Sequence, residues 1–279
     1  MSKSKSTKDC KSLVMFSSGI TSWAAGKRYA EQHGTDGMVL LFADTLIEDE
    51  DNYRFLIESA ANIFGQPIPP CAYRAIPPIT DPKSRRKALI GLAEECAVAL
   101  PGLVWIADGR TPWEVMRDVK IIGNSRIDPC SRVLKREILK KWQEKHCDPD
   151  LTTIIFGIGW DESHRIERVQ RLQPNWNCVA PLCYKPWISK RDCLAWAKRE
   201  GVRPPRMYNF EGEMIAGGHP HGNCGGLCVK AGQASFRLLL KNFPQRYAFH
   251  EAEEEKMRQK VGNYSIMTDR SGDGKKKVL

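Results

Sequence analysis

The chain has 279 residues, a formal net charge of +10 at pH 7 and an apolar content of 42%, which suffices for the core of one large domain. It contains no run of about 18 apolar residues, so the sequence predicts no membrane span. The positive charge favours a polyanionic ligand such as a nucleotide, RNA or DNA, the alternative being a solvated basic surface. Ten cysteines without a secretory signal argue against a disulfide framework and leave metal ligands, a cluster or simple burial.

Both ends of the chain are polar. Residues 1–11 are rich in Ser and Lys and lack an apolar stretch, which predicts a disordered leader rather than a secretory signal. Residues 263–279 are similar in character and predict a flexible basic tail. These features indicate a cytoplasmic protein that does not contact a membrane.

Strands and helices alternate through the first half of the sequence. Short apolar runs predict buried strands at residues 13–16, 38–43, 103–107 and 152–157, with 72–76 as a further candidate. Helical spacing of apolar residues predicts helices at 22–33, 52–64, 85–100 and 130–146. This alternation is typical of an α/β protein with a doubly wound parallel sheet, in which ligands bind at the carboxyl ends of the strands.

The pattern changes in the last third of the chain. Prolines become frequent, residues 217–226 form a loop rich in Gly, His and Cys, and helices are predicted at 229–242 and 244–260. The predicted organisation is a nucleotide-binding α/β domain followed by a helical cap that carries the cysteine-rich loop. The boundaries are residues 1–11 for the leader, 12–175 for the α/β domain, 176–262 for the cap and 263–279 for the tail.

A turn of small residues follows the first predicted strand directly and precedes the first predicted helix. Ser17, Ser18, Thr21 and Ser22 supply four hydroxyls, and Gly19 is expected to allow close approach and a positive φ. A strand, a small-residue turn and a helix start together present N–H groups and hydroxyls to a phosphate. The alternative is an ordinary serine-rich turn.

This turn resembles the PP-loop, Ser-Gly-Gly-x-Asp-Ser, of ATP pyrophosphatases and phosphoadenylylsulfate (PAPS) reductases. Further segments resemble the same family in the same order, at residues 44–45, 124–135, 157–165 and 181–182. The chain is therefore identified as similar to the PAPS reductase-like, adenine-nucleotide α-hydrolase superfamily. Residues 223–232 are similar to the branch that phages and plasmids often carry. The resemblance implies a Rossmann-like PP-loop fold, ATP or PAPS as the nucleotide, and Mg²⁺.

The resemblance also implies roles for individual residues. The implied nucleotide-binding residues are Phe16, Ser17, Ser18, Gly19, Thr21, Ser22, Asp44, Thr45, Arg126, Arg132 and Gly157. The implied catalytic residues are Lys135, Asp161 and Arg165. The cations among them suit phosphate or sulfate oxygens, while Asp44 and Asp161 suit Mg²⁺ or a ribose hydroxyl. For each cation, the alternative is an ordinary surface charge. For an Asp that ends a strand, the alternative is the role of helix N-cap.

Two departures from the family pattern affect the expected chemistry. The loop has Ser18 in place of one glycine and Thr21 in place of the Asp that helps to position Mg²⁺ and pyrophosphate. No cysteine follows Cys228, so reduction of PAPS through a C-terminal thiol is not expected.

Four cysteines resemble the cysteine set of this branch, namely Cys130, Cys183, Cys224 and Cys228. The resemblance implies that they hold a 4Fe–4S cluster, slightly favoured, or Zn²⁺; the alternative is burial as small apolar residues. His219 and His221 are reserve ligands, with an exposed loop as the alternative. The other six cysteines are predicted to be structural or incidental. Core packing is the expected role of Trp105, Trp113, Trp160 and Trp187, with stacking on adenine or RNA bases as the alternative. Trp160 is the exception for which the alternative has most support, because it lies within the family-like segment 157–165.

The function implied by the resemblance is an ATP pyrophosphatase that adenylates an acceptor. The net charge favours a nucleic acid or nucleobase as that acceptor. One alternative is a sulfonucleotide reductase that uses an external thiol. Another is a non-catalytic nucleotide-binding accessory subunit of a mobile-element or CRISPR-associated system, with a protein partner; an oligomer is compatible with each of these hypotheses.

Overall fold

A five-stranded, all-parallel sheet forms the centre of the computed structural model, which describes residues 10–210, 213–214, 224–269 and 277–278. The strands are β1 (Ser12–Met15), β2 (Met38–Asp44), β3 (Leu103–Ala107), β4 (Thr153–Phe156) and β5 (Asn177–Val179), in the spatial order β3-β2-β1-β4-β5. All four pairs of neighbouring strands are parallel. The chain builds outward from β1 on one side and then crosses to the other side at β4. The strand order therefore reverses between β1 and β4, the position at which open α/β sheets bind ligands.

Helices connect the strands and form most of the remaining structure. They are α1 (Ile20–His33), α2 (Glu50–Phe64), α3 (Pro82–Ala99), α4 (Pro112–Val119), α5 (Pro129–Ser131), α6 (Ile138–His146), α7 (His164–Leu172), α8 (Lys190–Arg199), α9 (Gln233–Asn242) and α10 (Pro244–Val261). The α/β class and the parallel sheet predicted from the sequence are confirmed. No helix in the described part of the chain combines the length and apolar character that a membrane crossing requires.

The sheet extends beyond the expected domain boundary at residue 175. β5 pairs with β4 in parallel register, and α8 packs its buried Cys193, Leu194 and Ala197 into the same core as α1. Trp196 contacts Trp23 of α1, with ring centroids 5.0 Å apart. Residues 177–199 are therefore part of the α/β core rather than of a separate cap.

Three predicted elements differ from the structure. Residues 70–73 form a 3-10 turn, Pro70–Tyr73, instead of leading into a strand at 72–76, because the prolines on either side cannot donate to a sheet ladder. The helix expected at 130–146 is interrupted by a π-helical turn, Arg132–Glu137, between α5 and α6. The helix expected from residue 229 begins only at Gln233, after the N-cap Gly232.

The chain ends are partly integrated into the fold. Cys10 forms a parallel β-bridge with Cys147, so the ordered structure begins within the predicted leader, of which residues 1–9 lie outside the described residues. Ile266 packs in an apolar cluster with Trp113 and Met257, and a short strand at Thr268–Asp269 pairs with Lys277–Val278. Residues 270–276 and 279 of the predicted tail are not among the described residues.

Candidate functional site

The loop between β1 and α1 lies at the carboxyl edge of the sheet, beside the reversal of strand order. Gly19 is the N-cap of α1 and has φ −95°, so the positive φ expected at this glycine is wrong. Ser18 adopts it instead, with φ 53°, a conformation that costs a residue with a Cβ roughly 1–2 kcal/mol. Ser18 therefore occupies the strained position of the turn.

The hydroxyls and N–H groups of this loop have different partners. Ser22 Oγ donates a hydrogen bond to the Gly19 carbonyl at 2.8 Å, and the Ile20 N–H donates to the Tyr208 hydroxyl at 3.3 Å. Ser18 Oγ is buried and has no hydrogen-bond partner among the described residues. A buried hydroxyl without a partner is costly, which makes Ser18 Oγ a candidate contact for a ligand. Phe16 is buried in the core, so its side chain is a packing element.

The loop after β4 packs directly against the first turn of α1. A Cβ placed on Gly157 would lie 2.5 Å from the Ser22 Cα, so only glycine fits here. A Cβ on Gly159 would lie 2.7 Å from Asp161 Oδ1 and 3.9 Å from Thr21 Cγ2. The absence of a side chain at Gly157 thus allows the loop after β4 to approach the start of α1 closely. The Asp161 side chain is exposed.

Asp44 is buried at the end of β2, and both of its carboxylate oxygens accept hydrogen bonds. Oδ1 accepts from the Leu46 N–H at 2.7 Å and from the Tyr53 hydroxyl at 2.8 Å, and Oδ2 accepts from Trp105 Nε1 at 3.1 Å. Burial raises its pKa, and these donors partly oppose that rise. These contacts tie Asp44 to the surrounding core, and the helix N-cap of α2 is Asp49 rather than Asp44.

Glu48, just before α2, is a buried carboxylate that sequence reasoning missed. Its Oε1 accepts from Thr45 Oγ1 at 3.1 Å and from Lys135 Nζ at 3.4 Å. Its Oε2 has no partner among the described residues, and burial raises its pKa well above the usual range. Nothing in the spacing of the apolar residues around Glu48 marks it as buried.

A cavity of about 380 Å³ lies next to this pair. The residues on its wall include predicted site residues from separate parts of the chain: Thr45, Cys130, Lys135, Arg165, Cys224 and Cys228. Lys135 Nζ is 3.8 Å from Cys224 Sγ. The fold therefore assembles a cation-bearing, thiol-bearing cavity at the carboxyl edge of the sheet.

The cavity thiols and the lysine alter each other's protonation. The hydrogen bond from Cys224 lowers the pKa of Cys228 to about 7, and the Lys230 N–H and the Lys135 ammonium act in the same direction. The same sulfur–sulfur hydrogen bond and burial raise the pKa of Cys224. Burial opposes the charge of Lys135, but Cys224 and Glu48 outweigh this and raise its pKa. These directions favour the thiolate of Cys228 over that of Cys224, with the Lys135 ammonium 3.8 Å from Cys224 Sγ.

The remaining predicted site residues lie apart from this cavity or at its rim. Arg165 has an ion pair with Glu162 at 2.7 Å and is 54% exposed at its side chain. Arg132 pairs with Glu137, and Arg126 is exposed; neither lines the cavity.

Cys183 is also separate from the other three predicted cysteine ligands. Its thiol points to the carbonyls of Ile158 and Gly159, at 3.5 and 3.7 Å, and it is not part of the cavity wall. Among the described residues, no group of three or more His, Cys, Asp or Glu has metal-binding geometry, and His219 and His221 lie outside them. The described side chains therefore do not bring the four predicted cysteine ligands together.

The other predicted cysteines and two tryptophans lie where core packing was expected. Cys10, Cys96, Cys147, Cys178 and Cys193 are buried, and Cys71 is half-buried. Trp113 is buried and Trp105 is half-buried, stacked on Tyr53 with centroids 5.4 Å apart. For Trp160 and Trp187 core packing is wrong, because both are exposed.

The buried Arg246 fixes the cysteine-bearing segment to the start of α2, where the exposed Arg206 also pairs with Asp49. Arg246 donates to Asp49 Oδ2 and to the Gly225 carbonyl, each at 2.9 Å, and Arg206 donates to the two Asp49 oxygens at 2.7 Å. Gly225 has φ +59°, and a Cβ there would lie 2.4 Å from the Ile47 carbonyl oxygen. These contacts position Cys224 and Cys228 at the cavity.

Comparison of the chain with protein-family models, with curated proteins and with solved structures found no match.

Proposed function

We propose that this protein is a PP-loop enzyme that binds an adenine nucleotide and transfers its adenylyl group to an acceptor. The observation that carries the proposal is the common cavity of Thr45, Lys135 and Arg165, residues singled out separately by their resemblance to family motifs. The loop from β1 to α1, with its unpartnered Ser18 hydroxyl, lies at the same edge of the sheet. The cavity wall supplies the two cations, whereas residues 17–22 do not line it; in the proposal the nucleotide spans from the cavity to the helix start that follows this loop.

The proposed reaction is attack of an acceptor oxygen on the α-phosphorus of ATP. The bond between the α-phosphorus and the bridging oxygen breaks, and pyrophosphate leaves with the negative charge. Lys135, held by Glu48 and Cys224, and Arg165 offset the charge that develops on the phosphates. Mg²⁺, when bound, would neutralise the leaving pyrophosphate. Because the Asp44 oxygens are occupied and Thr21 replaces the family Asp, the exposed Asp161 is the remaining candidate among the predicted metal contacts.

Nucleotide binding and pyrophosphate release test the proposal directly. Protein purified without oxygen is titrated with ATP, PAPS and adenylylsulfate, and pyrophosphate is measured in the presence of Mg²⁺. Lys135→Ala should weaken ATP binding by about 1.5–3 kcal/mol, the range for a hydrogen bond to a charged group. Lys140→Ala is the matched control, because Lys140 is a solvent-exposed lysine of the same helical segment. Gly19→Val should abolish binding by blocking close approach to the loop. Unchanged ATP affinity in folded Lys135→Ala and Gly19→Val proteins would refute the site.

The thiol pair favours one second candidate, a sulfonucleotide reductase. The lowered pKa of Cys228 and its hydrogen bond to Cys224 suit attack of the Cys228 thiolate on the sulfur of PAPS. The sulfur–oxygen bond breaks and the adenosine bisphosphate leaves. The Cys224 thiol then attacks Cys228 Sγ, which releases sulfite and leaves a disulfide for an external dithiol to reduce. Sulfite release from PAPS that Cys228→Ser abolishes supports this candidate; pyrophosphate release from ATP supports the first.

A further inference from the structure

Two tryptophans are stacked on each other at the surface, beside the candidate site. Trp160 is 43% exposed and Trp187 is 51% exposed. Their ring centroids are 4.3 Å apart and their planes differ by 16°. Trp160 lies in the 3-10 turn Trp160–Glu162 after β4, and Trp187 lies in the segment between β5 and α8.

This pair is not explained by packing of the fold. Large aromatic side chains normally bury most of their surface, and the second ring of a stacked pair normally completes such burial. Here each ring leaves about half of its surface in water. An exposed aromatic surface of this kind marks a contact site for another molecule.

Basic residues outnumber acidic ones in the segment that carries the pair, although the exposed Asp161 and Glu162 follow Trp160 directly. The Lys185 ammonium lies 5.5 Å from the centroid of the Trp187 ring. Residues 160–191 contain six Arg and Lys but only three Asp and Glu. The exposed arginines Arg165, Arg168 and Arg171 all belong to α7, which starts just after the turn that carries Trp160. This surface therefore complements an anion rather than a neutral or basic partner.

We infer that Trp160, backed by Trp187, stacks an unpaired base of a single-stranded nucleic acid whose phosphates contact Arg168 and Arg171 of α7. Stacked aromatic rings with nearby cations are how proteins bind single strands, because every base has a π-face and every nucleotide a charge. A duplex hides its base faces within the stack, so the tryptophans favour an unpaired strand. A nucleic acid fits the positive surroundings better than an apolar protein surface does.

The inference rests on the proposed function, to which it adds the class of acceptor. Trp160 and Arg165 belong to the same loop and helix start, and Arg165 lines the cavity assigned to the nucleotide phosphates. A strand held on Trp160 therefore lies next to the proposed site of adenylyl transfer.

Binding of labelled oligonucleotides tests the inference. The full-length protein is titrated against 12-nucleotide single-stranded DNA and RNA probes and a duplex of the same length, by fluorescence anisotropy at low and moderate salt. Trp160→Ala should weaken single-strand binding by about 5- to 150-fold, the range for loss of one stacked base. Trp160→Phe should restore part of the affinity, since it keeps an aromatic face. Tyr73→Ala is the control, because Tyr73 is an exposed aromatic, 63% accessible, outside this surface. ATP binding is measured in parallel for every variant.

Single-strand binding that Trp160→Ala reduces and Tyr73→Ala does not, with ATP affinity unchanged, supports the inference. Quenching of tryptophan fluorescence by unlabelled oligonucleotide, reduced in Trp160→Ala, supports it independently. Absence of single-strand binding by the wild-type protein at low salt, or equal affinities of wild type and Trp160→Ala, overturns it. Loss of ATP affinity in Trp160→Ala with unchanged oligonucleotide affinity also overturns it and assigns the ring to the adenine. If the wild-type protein binds no nucleotide but binds single strands through Trp160, the proposed adenylyl transfer fails while the stacking site stands.

Discussion

Replacement of Gly225 by Ala adds a single methyl group and tests how the backbone around Gly225 positions the thiols of Cys224 and Cys228. The Gly225 φ of +59° is unfavourable for any residue with a Cβ, and an added Cβ would lie 2.4 Å from the Ile47 carbonyl oxygen. Real Cβ atoms stay at least about 3.0 Å from such an atom, so the Gly225→Ala segment must move by at least roughly 0.6 Å. The conformation costs about 1 kcal/mol, and overpacking adds about 1–3 kcal/mol.

Gly201→Ala separates these two contributions. Gly201 has a similar φ of +73°, but nothing lies within 4 Å of its added Cβ, so this variant carries only the conformational cost. Denaturant unfolding should show Gly225→Ala destabilised by about 2–4 kcal/mol and Gly201→Ala by about 1 kcal/mol. Because the shift moves Cys224, Gly225→Ala should also raise the midpoint pH of Cys228 alkylation. Equal losses of stability in the two variants would refute the close contact between Gly225 and Ile47.

Three further changes test other parts of the site. Cys228 has a pKa lowered from 9.0 to about 7, so its alkylation rate should rise with pH and have its midpoint near pH 7. Lys135→Met should move that midpoint toward 9, whereas the control Lys140→Met should leave it in place. An unmoved midpoint in Lys135→Met contradicts the role of Lys135. A lowered folded-state pKa also means that the thiolate stabilises the fold at high pH and that this contribution is lost as the pH falls through about 7. Ser18→Gly should raise stability by about 1 kcal/mol, because it relieves the positive φ and removes an unpartnered hydroxyl, yet weaken ATP binding measured by calorimetry; unchanged affinity would show that the hydroxyl does not contact the nucleotide. Asp44→Asn should lower the unfolding free energy by about 2–3 kcal/mol, since its amide opposes one of three donors, and a variant of normal stability would contradict the structural role of Asp44.

The sequence predicts the sheet well wherever apolar runs are long enough to stand out. β1 to β4 each contain such a run, whereas β5, Asn177–Val179, has only three residues and begins with a polar one. Its place in the sheet depends on pairing with β4, which no local pattern shows. The sheet therefore continues past the expected domain boundary at residue 175.

The assembly of the cavity is partly predictable from the rule that ligands gather at the carboxyl ends of strands. That rule, together with the family motifs, selects Thr45, Lys135 and Arg165, which do line one cavity. The rule does not say which residue of a turn takes a positive φ. The positive φ is therefore expected at Gly19, whereas Ser18 adopts it. The rule also does not give the direction of a side chain, and Cys183 points to backbone carbonyls instead of the other thiols.

The acidic run before and at the start of α2 connects the cavity to the last third of the chain. Asp49 caps α2 by accepting from the Asp51 N–H, and the same carboxylate accepts from Arg206 and Arg246. The Asp49 side chain is fully buried, and that of Arg246 is 8% exposed. Loss of Arg246 would leave Asp49 with Arg206 as its remaining cation, and loss of Asp49 would leave Arg246 paired with Glu50. Arg246 also holds the Gly225 carbonyl, whereas the neighbouring Glu48 contacts Lys135. One short acidic segment therefore fixes both the cation and the thiols of the cavity, so the geometry of the site depends on the C-terminal segment as much as on the sheet.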